Sequence, residues 1–324
     1  MQLSPRTQKD FIGAKQRQTG FLPEGARIGN AANRRAMQTE FALRDAAAEG
    51  AVLESRVLLC DSAHDLHVDL GCMKGIIPRE EGALGIDTGE VRDIALISRV
   101  GKPVSFRVLG FEPDGAGGVR AVLSRKAVQK DCLEQLIRSL TPGDVVTARV
   151  THLEQFGVFA DIGAGLSALM PIDSVSVSRI PHPGVRFVPG QDIRAVVKGV
   201  DERQRVTLTH KELLGTWEQN AEDFEAGQTV PGIVRSVERY GIFVELTPNL
   251  AGLAEYTDGV TAGQSASVYI KSVLPERMKI KLILVDTFDA PQPPQPIRYF
   301  TDCEHIDRWV YSPDCCDKIV ETVF

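Results

Sequence analysis

The stretch that decides the fold is Gln155-Phe156-Gly157-Val158-Phe159-Ala160-Asp161-Ile162-Gly163. Its apolar residues alternate as they do in a β-strand, and a glycine separates two aromatic residues three positions apart. This spacing predicts two flat rings on one side of a bent strand. Exposed rings on a strand are a surface on which single-stranded nucleic acid stacks. The segment is therefore both an architectural marker and a candidate binding site.

The same pattern returns 84 residues later, where Arg239-Tyr240-Gly241-Ile242-Phe243 repeats the two spaced rings. Three stretches of the chain share the surrounding sequence pattern. Each opens with Gly and alternating Val, continues into a strand that ends in an acid, and closes with another alternating strand. The acids are Asp69, Asp161 and Glu245. Short strands bounded by Gly, Pro and Asp turns predict a small closed barrel that is repeated three times.

The repeats divide the chain into segments that differ in composition. We expect a basic, partly helical N-terminal extension over 1–49, barrels over 50–126, 142–211 and 226–286, a connecting helix over 127–141, an acidic helical linker over 212–225, and a Pro-rich spacer and tail over 287–324. Apolar residues at helical spacing predict helices over 127–138 and 211–224, and residues 30–48 also suit a helix.

The charge is distributed unevenly along the chain. The net charge is −6 in all, but residues 212–225 contribute −5 and residues 287–324 contribute −4, whereas residues 1–49 contribute +3. The three barrel segments each lie within one charge of neutrality. This balance argues against strong non-specific coating of DNA, and it leaves open modest, salt-sensitive binding to single strands.

The composition also excludes several classes of protein. No run of 18 apolar residues exists, so we expect no membrane span. The N-terminus lacks the apolar stretch of a secretory signal. The six cysteines show no Cys-x-x-Cys spacing, which favours reduced thiols and a cytoplasmic location. They are Cys60, Cys72, Cys132, Cys303, Cys315 and Cys316.

The middle segment resembles the S1 RNA-binding domain, a five-stranded OB-fold barrel. That family has Gly-x-Val, then Phe-Gly-x-Phe-x-Asp-x-Gly, then Gly-Leu, and finally an Asp shortly before an Arg. The matching residues here are Gly143, Val145, Val150, segment 156–163, Ala168-Leu169, Asp201 and segment 205–209. The resemblance implies a mainly β protein made of three tandem five-stranded OB-fold (S1-type) barrels joined by short helices.

The resemblance also implies an RNA face on each barrel. In the middle barrel Phe156, Phe159, Asp201 and Arg205 fall on family positions, while Pro171 replaces a family His. In the third barrel the rings are Tyr240 and Phe243, the cation is Lys279, and Glu255 and Leu274 replace the His and the Asp. In the first barrel His64 and His67 align with the rings, Arg120 with the Arg, Pro78 with the His and Gly110 with the Asp. The first and third barrels therefore depart from the family pattern.

Aligning the three segments gives two columns of basic residues. One column holds Arg120, Arg205 and Lys279, and the other holds Arg107, Lys198 and Lys271. Two such columns favour a track for a polyanion, although a solvated barrel exterior is the plainer interpretation. Arg205 also suits a surface ion pair with Asp201, and such pairs contribute little to stability.

Phe159 and Phe243 have an alternative role as barrel-core residues. Alternation puts Val158 and Ala160 on one face of the strand and Phe159 and Asp161 on the other. We expect Asp161 to be exposed, which would place Phe159 on the outside of the barrel.

The sequence predicts a binding protein rather than an enzyme. No catalytic motif is evident, and we expect no cofactor and no small-molecule substrate. Cys303, His305, Cys315 and Cys316 are poorly spaced for zinc, because adjacent cysteines rarely ligate one tetrahedral ion. The resemblance implies that the ligand is single-stranded RNA, in particular mRNA near the 30S ribosomal subunit, with a role in translation. The alternatives are a non-ribosomal RNA-binding regulator, an accessory factor of RNA metabolism, and barrels that dock on protein partners.

Overall fold

The fold consists of three closed five-stranded barrels that follow one another along the chain. The structure is a computed structural model, and it describes residues 11–115, 117–290 and 296–324. The prediction of a mainly β protein built from three OB-fold barrels is confirmed. Residues 1–10 of the predicted N-terminal extension and residues 291–295 of the predicted Pro-rich spacer lie outside the described residues.

The N-terminal extension forms three helices: α1 (Ala14–Thr19), α2 (Ala31–Ala36) and α3 (Glu40–Ala48). The single helix expected over 30–48 is therefore wrong. Thr39 is extended, and its side chain accepts the backbone N–H of Ala42 at 3.1 Å. A Thr in this position caps a new helix, so the chain stops after Ala36 and restarts at Glu40.

The first barrel contains β1 (Leu53–Cys60), β2 (Leu66–Asp69), β3 (Lys74–Ile77), the short helix α4 (Ile94–Ile97), β4 (Pro103–Pro113) and β5 (Val119–Ser124). The order around the barrel is β1-β2-β3-β5-β4. All neighbouring strands are antiparallel except β3 and β5. The helix α5 (Arg125–Gln135) follows directly, capped by the side chain of Ser124, and it corresponds to the predicted connecting helix.

The middle barrel repeats this topology with β6 (Val145–Glu154), β7 (Gly157–Gly163), β8 (Leu166–Pro171), β9 (Asp192–Val200) and β10 (Val206–Thr209). Its core includes Val158, Ala160 and Met170, each fully buried. Val128 and Cys132 of α5 and Leu136 directly after it join the same core. The connecting helix is thus part of the middle barrel rather than a free spacer.

The third barrel is preceded by α6 (Trp217–Ala221) and contains β11 (Thr229–Glu238), β12 (Gly241–Thr247), β13 (Leu250–Ala254), β14 (Ser265–Leu274) and β15 (Lys279–Phe288). The continuous helix predicted over 211–224 is wrong. A short 3-10 turn ends at Leu214, Gly215 has a positive φ of 85°, and Thr216 caps α6. Gly215 adopts a conformation that interrupts a helix.

The tail forms a two-stranded ribbon, β16 (Arg308–Val310) and β17 (Glu321–Val323), beside the third barrel. Trp309 and Tyr311 are buried in the core of that barrel together with Trp217. His305 meets the middle barrel, where its Nδ1 lies 2.9 Å from Asp144 Oδ1. The tail therefore contacts two barrels, and both tryptophans of the chain belong to the third core.

A short strap (residues 21–27) of the N-terminal extension joins the first and middle barrels. Glu24 is buried, and its carboxylate accepts hydrogen bonds from Arg125 Nε at 2.7 Å and from Arg99 Nη1 at 3.2 Å. Burial opposes ionisation of Glu24, but the charge and hydrogen bond of Arg125 outweigh it and lower the pKa. The Glu54 carboxylate of β1 accepts the backbone N–H groups of Gly25 and Arg27. Buried charges therefore fix the relative position of the two barrels.

Candidate nucleic-acid interface

The two rings of the middle barrel lie side by side on its outer surface. Phe156 is at the turn between β6 and β7 and is 57% exposed, whereas Phe159 within β7 is half-buried. Their centroids are 5.9 Å apart, and the ring planes are nearly perpendicular at 87°. A Cβ on Gly157 would clash with the carbonyl oxygen of Met170. Glycine is required between the rings because β7 and β8 pack closely here.

The expected exposure of Asp161 is wrong, although Phe159 does face outward. Asp161 is buried, because the strap covers the outer surface of β7 at this point. Its Oδ2 accepts the backbone N–H of Glu24 at 2.7 Å, and its Oδ1 accepts that of Gly163 at 2.8 Å. Phe159 lies two residues before the covered position, next to the exposed Phe156. The strap therefore leaves the rings uncovered.

Asp201 and Arg205 form the charged pair beside these rings. Oδ2 of Asp201 accepts Arg205 Nε at 2.7 Å, and Oδ1 accepts the backbone N–H groups of Arg203 and Arg205, each at 2.9 Å. The backbone hydrogen bond from Arg205 is the main cause of the lowered pKa of Asp201. The carboxylate thus shapes the β9–β10 turn and orients a guanidinium whose side chain is 73% exposed.

The third barrel reproduces the ring geometry. Tyr240 is 70% exposed and Phe243 is half-buried, with centroids 6.0 Å apart and planes at 85°. Gly241 again separates the rings, and a Cβ there would approach the carbonyl oxygen of Ala254 to 2.5 Å. The two barrels therefore build the same pair of rings from the same close contact between strands.

Strand register shows which residues are equivalent in the three barrels. Phe159 lies opposite His152, Phe243 opposite Ser236 and His67 opposite Leu59, in each case just after a β-bulge. The sequence alignment of His67 with the second ring is consistent with this register. His67 itself is engaged, because its Nε2 lies 2.8 Å from Asp61 Oδ2.

Register corrects the alignment of Gly110 with Asp201. Glu112 lies opposite Arg120, as Leu274 lies opposite Lys279. Asp201 similarly donates its backbone N–H to the carbonyl of Arg205. Glu112 Oε1 accepts Arg120 Nε at 2.7 Å, so the first barrel keeps an acid–arginine pair that sequence alignment missed. The β4–β5 hairpin is longer than the β9–β10 hairpin, so the sequence alignment placed the gap at the wrong residues.

Register confirms one basic column and contradicts part of the other. Arg120, Arg205 and Lys279 occupy equivalent positions. Lys198 and Lys271 are the bulge residues of β9 and β14, but the bulge residue of β4 is Leu109 rather than Arg107. Arg107 lies two residues earlier and makes an ion pair with Asp131 of α5. Arg107 therefore does not belong to the second basic column, because the first barrel has Leu109 at that position.

One cation on the third barrel was missed by the sequence analysis. Lys281 is exposed and alternates with the buried Ile280 and Leu282, as Lys279 does. It lies opposite Leu253 and Ser272, and Leu253 in turn lies opposite Phe243. The alternation in the sequence already contained this signal, since residues two apart on a strand share a face.

The tail cysteines and histidine show no metal cluster. In the described ranges 11–115, 117–290 and 296–324, no three His, Cys, Asp or Glu side chains lie close enough together to hold an ion. None of the helices in these ranges is long and apolar enough to cross a membrane.

Comparison with known families agrees with this geometry. Residues 139–211 match the family model of the S1 RNA binding domain. The middle barrel is an S1 domain. The matched segment contains both rings, Lys198 and the Asp201–Arg205 pair of this S1 domain.

Similarity to individual proteins extends beyond the S1 domain. Small ribosomal subunit protein bS1 of Staphylococcus aureus is 31% identical over 199 residues, which are 60% of this chain and 48% of that protein. The bS1 homolog of Bacillus subtilis is 29% identical over 247 residues, covering 71% of this chain and 62% of the relative. The chain thus spans about half the length of the first of these relatives.

A solved structure of a multidomain protein with nucleic acid binding domains from Streptococcus pneumoniae aligns with 75% of this chain and 76% of its own. Its sequence identity is 16% and its TM-score is 0.24.

Proposed function

We propose that this protein binds single-stranded RNA through the ring pairs of its middle and third barrels. The observation that carries the proposal is the near-identical geometry of the two pairs, with centroid separations of 5.9 Å and 6.0 Å. In both pairs the first ring is largely exposed at a turn, where a base can stack on it. Stacking of a base on an aromatic side chain contributes about 1–3 kcal/mol and tolerates any base.

Charged side chains beside the rings complete the proposed site. Arg205 is oriented by Asp201 to contact a base or a phosphate, and a guanidinium is suited to both contacts. Lys198, Lys271 and Lys279 are exposed and would hold the backbone of the strand. Two modest sites on one chain raise each other's effective concentration, so that weak contacts add to a useful affinity.

The broader role we propose is binding of mRNA at the 30S ribosomal subunit in the cytoplasm, in support of translation and without catalysis. The bS1 relatives support this proposal. The departures of the first barrel favour a second candidate, a non-ribosomal RNA-binding regulator. In the first barrel His67 already contacts Asp61, and Arg120 is already paired with Glu112. Leu59 and Leu109 are exposed at the positions that His152 and Lys198 occupy in the middle barrel.

Variants of the middle ring pair test the mechanism. The double substitution Phe156→Ala/Phe159→Ala should weaken binding of a labelled uridine dodecamer by at least about tenfold, because it removes two stacking surfaces. Phe156→Tyr keeps the π-face and serves as the matched control with near wild-type affinity. Fluorescence anisotropy measures both. Equal affinities for wild type and the double-alanine variant would exclude stacking at this site.

Co-sedimentation with 30S subunits then separates the two broader roles. The ribosomal proposal expects wild type to pellet with the subunits and the double-alanine variant to pellet less when mRNA is present. RNA binding without any co-sedimentation would overturn the ribosomal role and leave the regulator.

A further inference from the structure

We propose that the third barrel is the main phosphate-holding site of this protein and that Lys281 determines this property. The inference rests on the proposed RNA-binding function and assigns different tasks to its two ring pairs. The middle barrel would hold bases against its rings and an oriented arginine. The third barrel would hold the phosphate backbone with lysines.

The first observation is the charge on the face that carries each ring pair. Across the third barrel, one row of paired residues runs from Phe243 through Leu253 and Lys281 to Ser272. The corresponding row of the middle barrel runs from Phe159 through Leu169 and Thr207 to Gly199. Lys281 thus occupies the position of Thr207, and the third barrel carries one more cation in this row.

The second observation is the residue at the position equivalent to Asp201. Arg205 of the middle barrel is paired with Asp201, but the equivalent acid position beside Lys279 is Leu274. Among the residues that the structure describes, none forms an ion pair with Lys271, Lys279 or Lys281. Two exposed acids lie close in sequence, Glu255 after β13 and Glu276 in the turn before Lys279, and neither forms an ion pair with a described residue.

The third observation is the spacing of the lysines relative to the rings. Lys279 and Lys281 lie on one face of β15, about 7 Å apart at their Cα atoms, since a strand rises about 3.4 Å per residue. Two strand spacings of about 4.8 Å separate Lys281 from Phe243. The lysines and the rings therefore share one continuous surface about 10 Å wide, on which a base and its neighbouring phosphates fit.

Phosphate contacts have a signature that stacking lacks. Each phosphate neutralised on a single strand releases counterions and adds about 0.7 to the slope of log K against log salt concentration. At three equivalent positions the middle barrel has Lys198, the acid-paired Arg205 and Thr207, whereas the third barrel has Lys271, Lys279 and Lys281, which pair with no acid among the described residues. The slope should therefore depend more on the third barrel than on the middle one.

The experiment measures binding of the full chain to a labelled uridine dodecamer between about 50 and 200 mM NaCl. We expect Lys281→Gln to lower the slope by about 0.7, and Lys279→Gln/Lys281→Gln to lower it by about 1.4. The reciprocal Thr207→Lys should raise it by about 0.7. Lys130→Gln, at an exposed position of α5, is the control and should leave the slope unchanged. Fluorescence of Trp217 and Trp309 verifies that the third core is folded in each variant.

An unchanged slope in the Lys279→Gln/Lys281→Gln variant would overturn the inference, provided that the ring variants lose affinity. A larger change with Lys198→Gln than with that double variant would overturn it as well. No binding of the RNA by wild type would overturn the proposed function and this inference together. Loss of affinity in the ring variants with an intact lysine effect would support both.

Discussion

The middle and third barrels carry the same pair of rings but different surroundings. The rings differ by only 0.1 Å in separation and 2° in angle, because the same glycine contact sets both. Beside them, the middle barrel has an aspartate–arginine pair, and the third has lysines that pair with no acid in the described part of the chain. The comparison teaches that ring geometry follows from backbone packing, whereas the charge beside the rings is set independently by single side chains.

A second difference concerns the acid two residues beyond the inner ring. Asp161 and Glu245 are equivalent and both buried, yet their pKa values shift in opposite directions. Burial and the charge of Glu24 raise the pKa of Asp161 to about 7, against the backbone hydrogen bonds from Glu24 and Gly163. Burial also opposes ionisation of Glu245, but Arg235 and Arg186 outweigh it and lower its pKa. The middle barrel docks on the strap through peptide groups, whereas the third barrel contacts the middle one through Arg186.

The largest expected effect is on the third barrel. Arg235 Nε donates to Glu245 Oε2 at 2.8 Å, and both side chains are buried. Arg235→Met should destabilise this barrel by about 3 kcal/mol, because it leaves a buried carboxylate short of a partner. Urea unfolding followed by the fluorescence of Trp217 and Trp309 measures the change.

Arg298→Met is the matched control, since Arg298 forms an exposed ion pair with Asp223. Its cost should stay within about 1 kcal/mol. Equal costs for the two substitutions would show that Glu245 does not depend on its buried partner.

The next effect distinguishes Asp161 from Glu245 by pH. A raised pKa means that the folded state binds the proton more tightly, so the stabilisation is present at low pH and is lost as the pH rises through about 7. Hydrogen exchange of the strap, corrected for intrinsic rates, should lose about tenfold protection between about pH 5.5 and pH 8. Asp161→Asn should abolish this dependence.

Glu245 should behave in the opposite way. Its lowered pKa gives stabilisation that is present above the ordinary glutamate value of 4.5 and is lost as the pH falls through the folded value. Protection at the junction of the middle and third barrels should therefore hold from pH 5.5 to pH 8. A parallel loss at both junctions would contradict the contrast between the two acids.

The smallest expected effect comes from exchanging the charge partner beside the rings. Leu274→Asp gives Lys279 an acid and should weaken RNA binding by about threefold while flattening its salt dependence. Asp201→Asn keeps the acceptor for the turn and frees Arg205, so it should steepen the salt dependence of binding. If both variants kept the wild-type slope, the acid beside Arg205 or Lys279 would not determine the salt dependence of RNA binding.

Local patterns in the sequence were sufficient to predict the barrels and the rings. Alternation and turn residues gave three barrels, and the repeated glycine between aromatics marked Phe156, Phe159, Tyr240 and Phe243. These features depend on residues close in sequence. Arg120, Arg205 and Lys279 were also aligned correctly, because each stands at the same distance in sequence from the buried residues of the last strand of its barrel.

The features that sequence analysis missed depend on distant residues or on hairpin length. Asp161 is buried by Glu24, which lies 137 residues earlier, and no local pattern signals that contact. Arg107 is not the bulge residue of β4 and lies outside the predicted basic column, where it pairs with Asp131 of the following helix. Glu112 was overlooked because the longer β4–β5 hairpin shifts its position relative to Arg120.

Photo-crosslinking tests the central claim most directly. A dodecamer with 4-thiouridine at each position would be bound to the full chain, irradiated and mapped by mass spectrometry. The account predicts crosslinks in the peptides that contain Phe156 with Phe159 and Tyr240 with Phe243, and their loss from each pair after its substitution by alanine. Crosslinks confined to the first barrel or to the tail would contradict it.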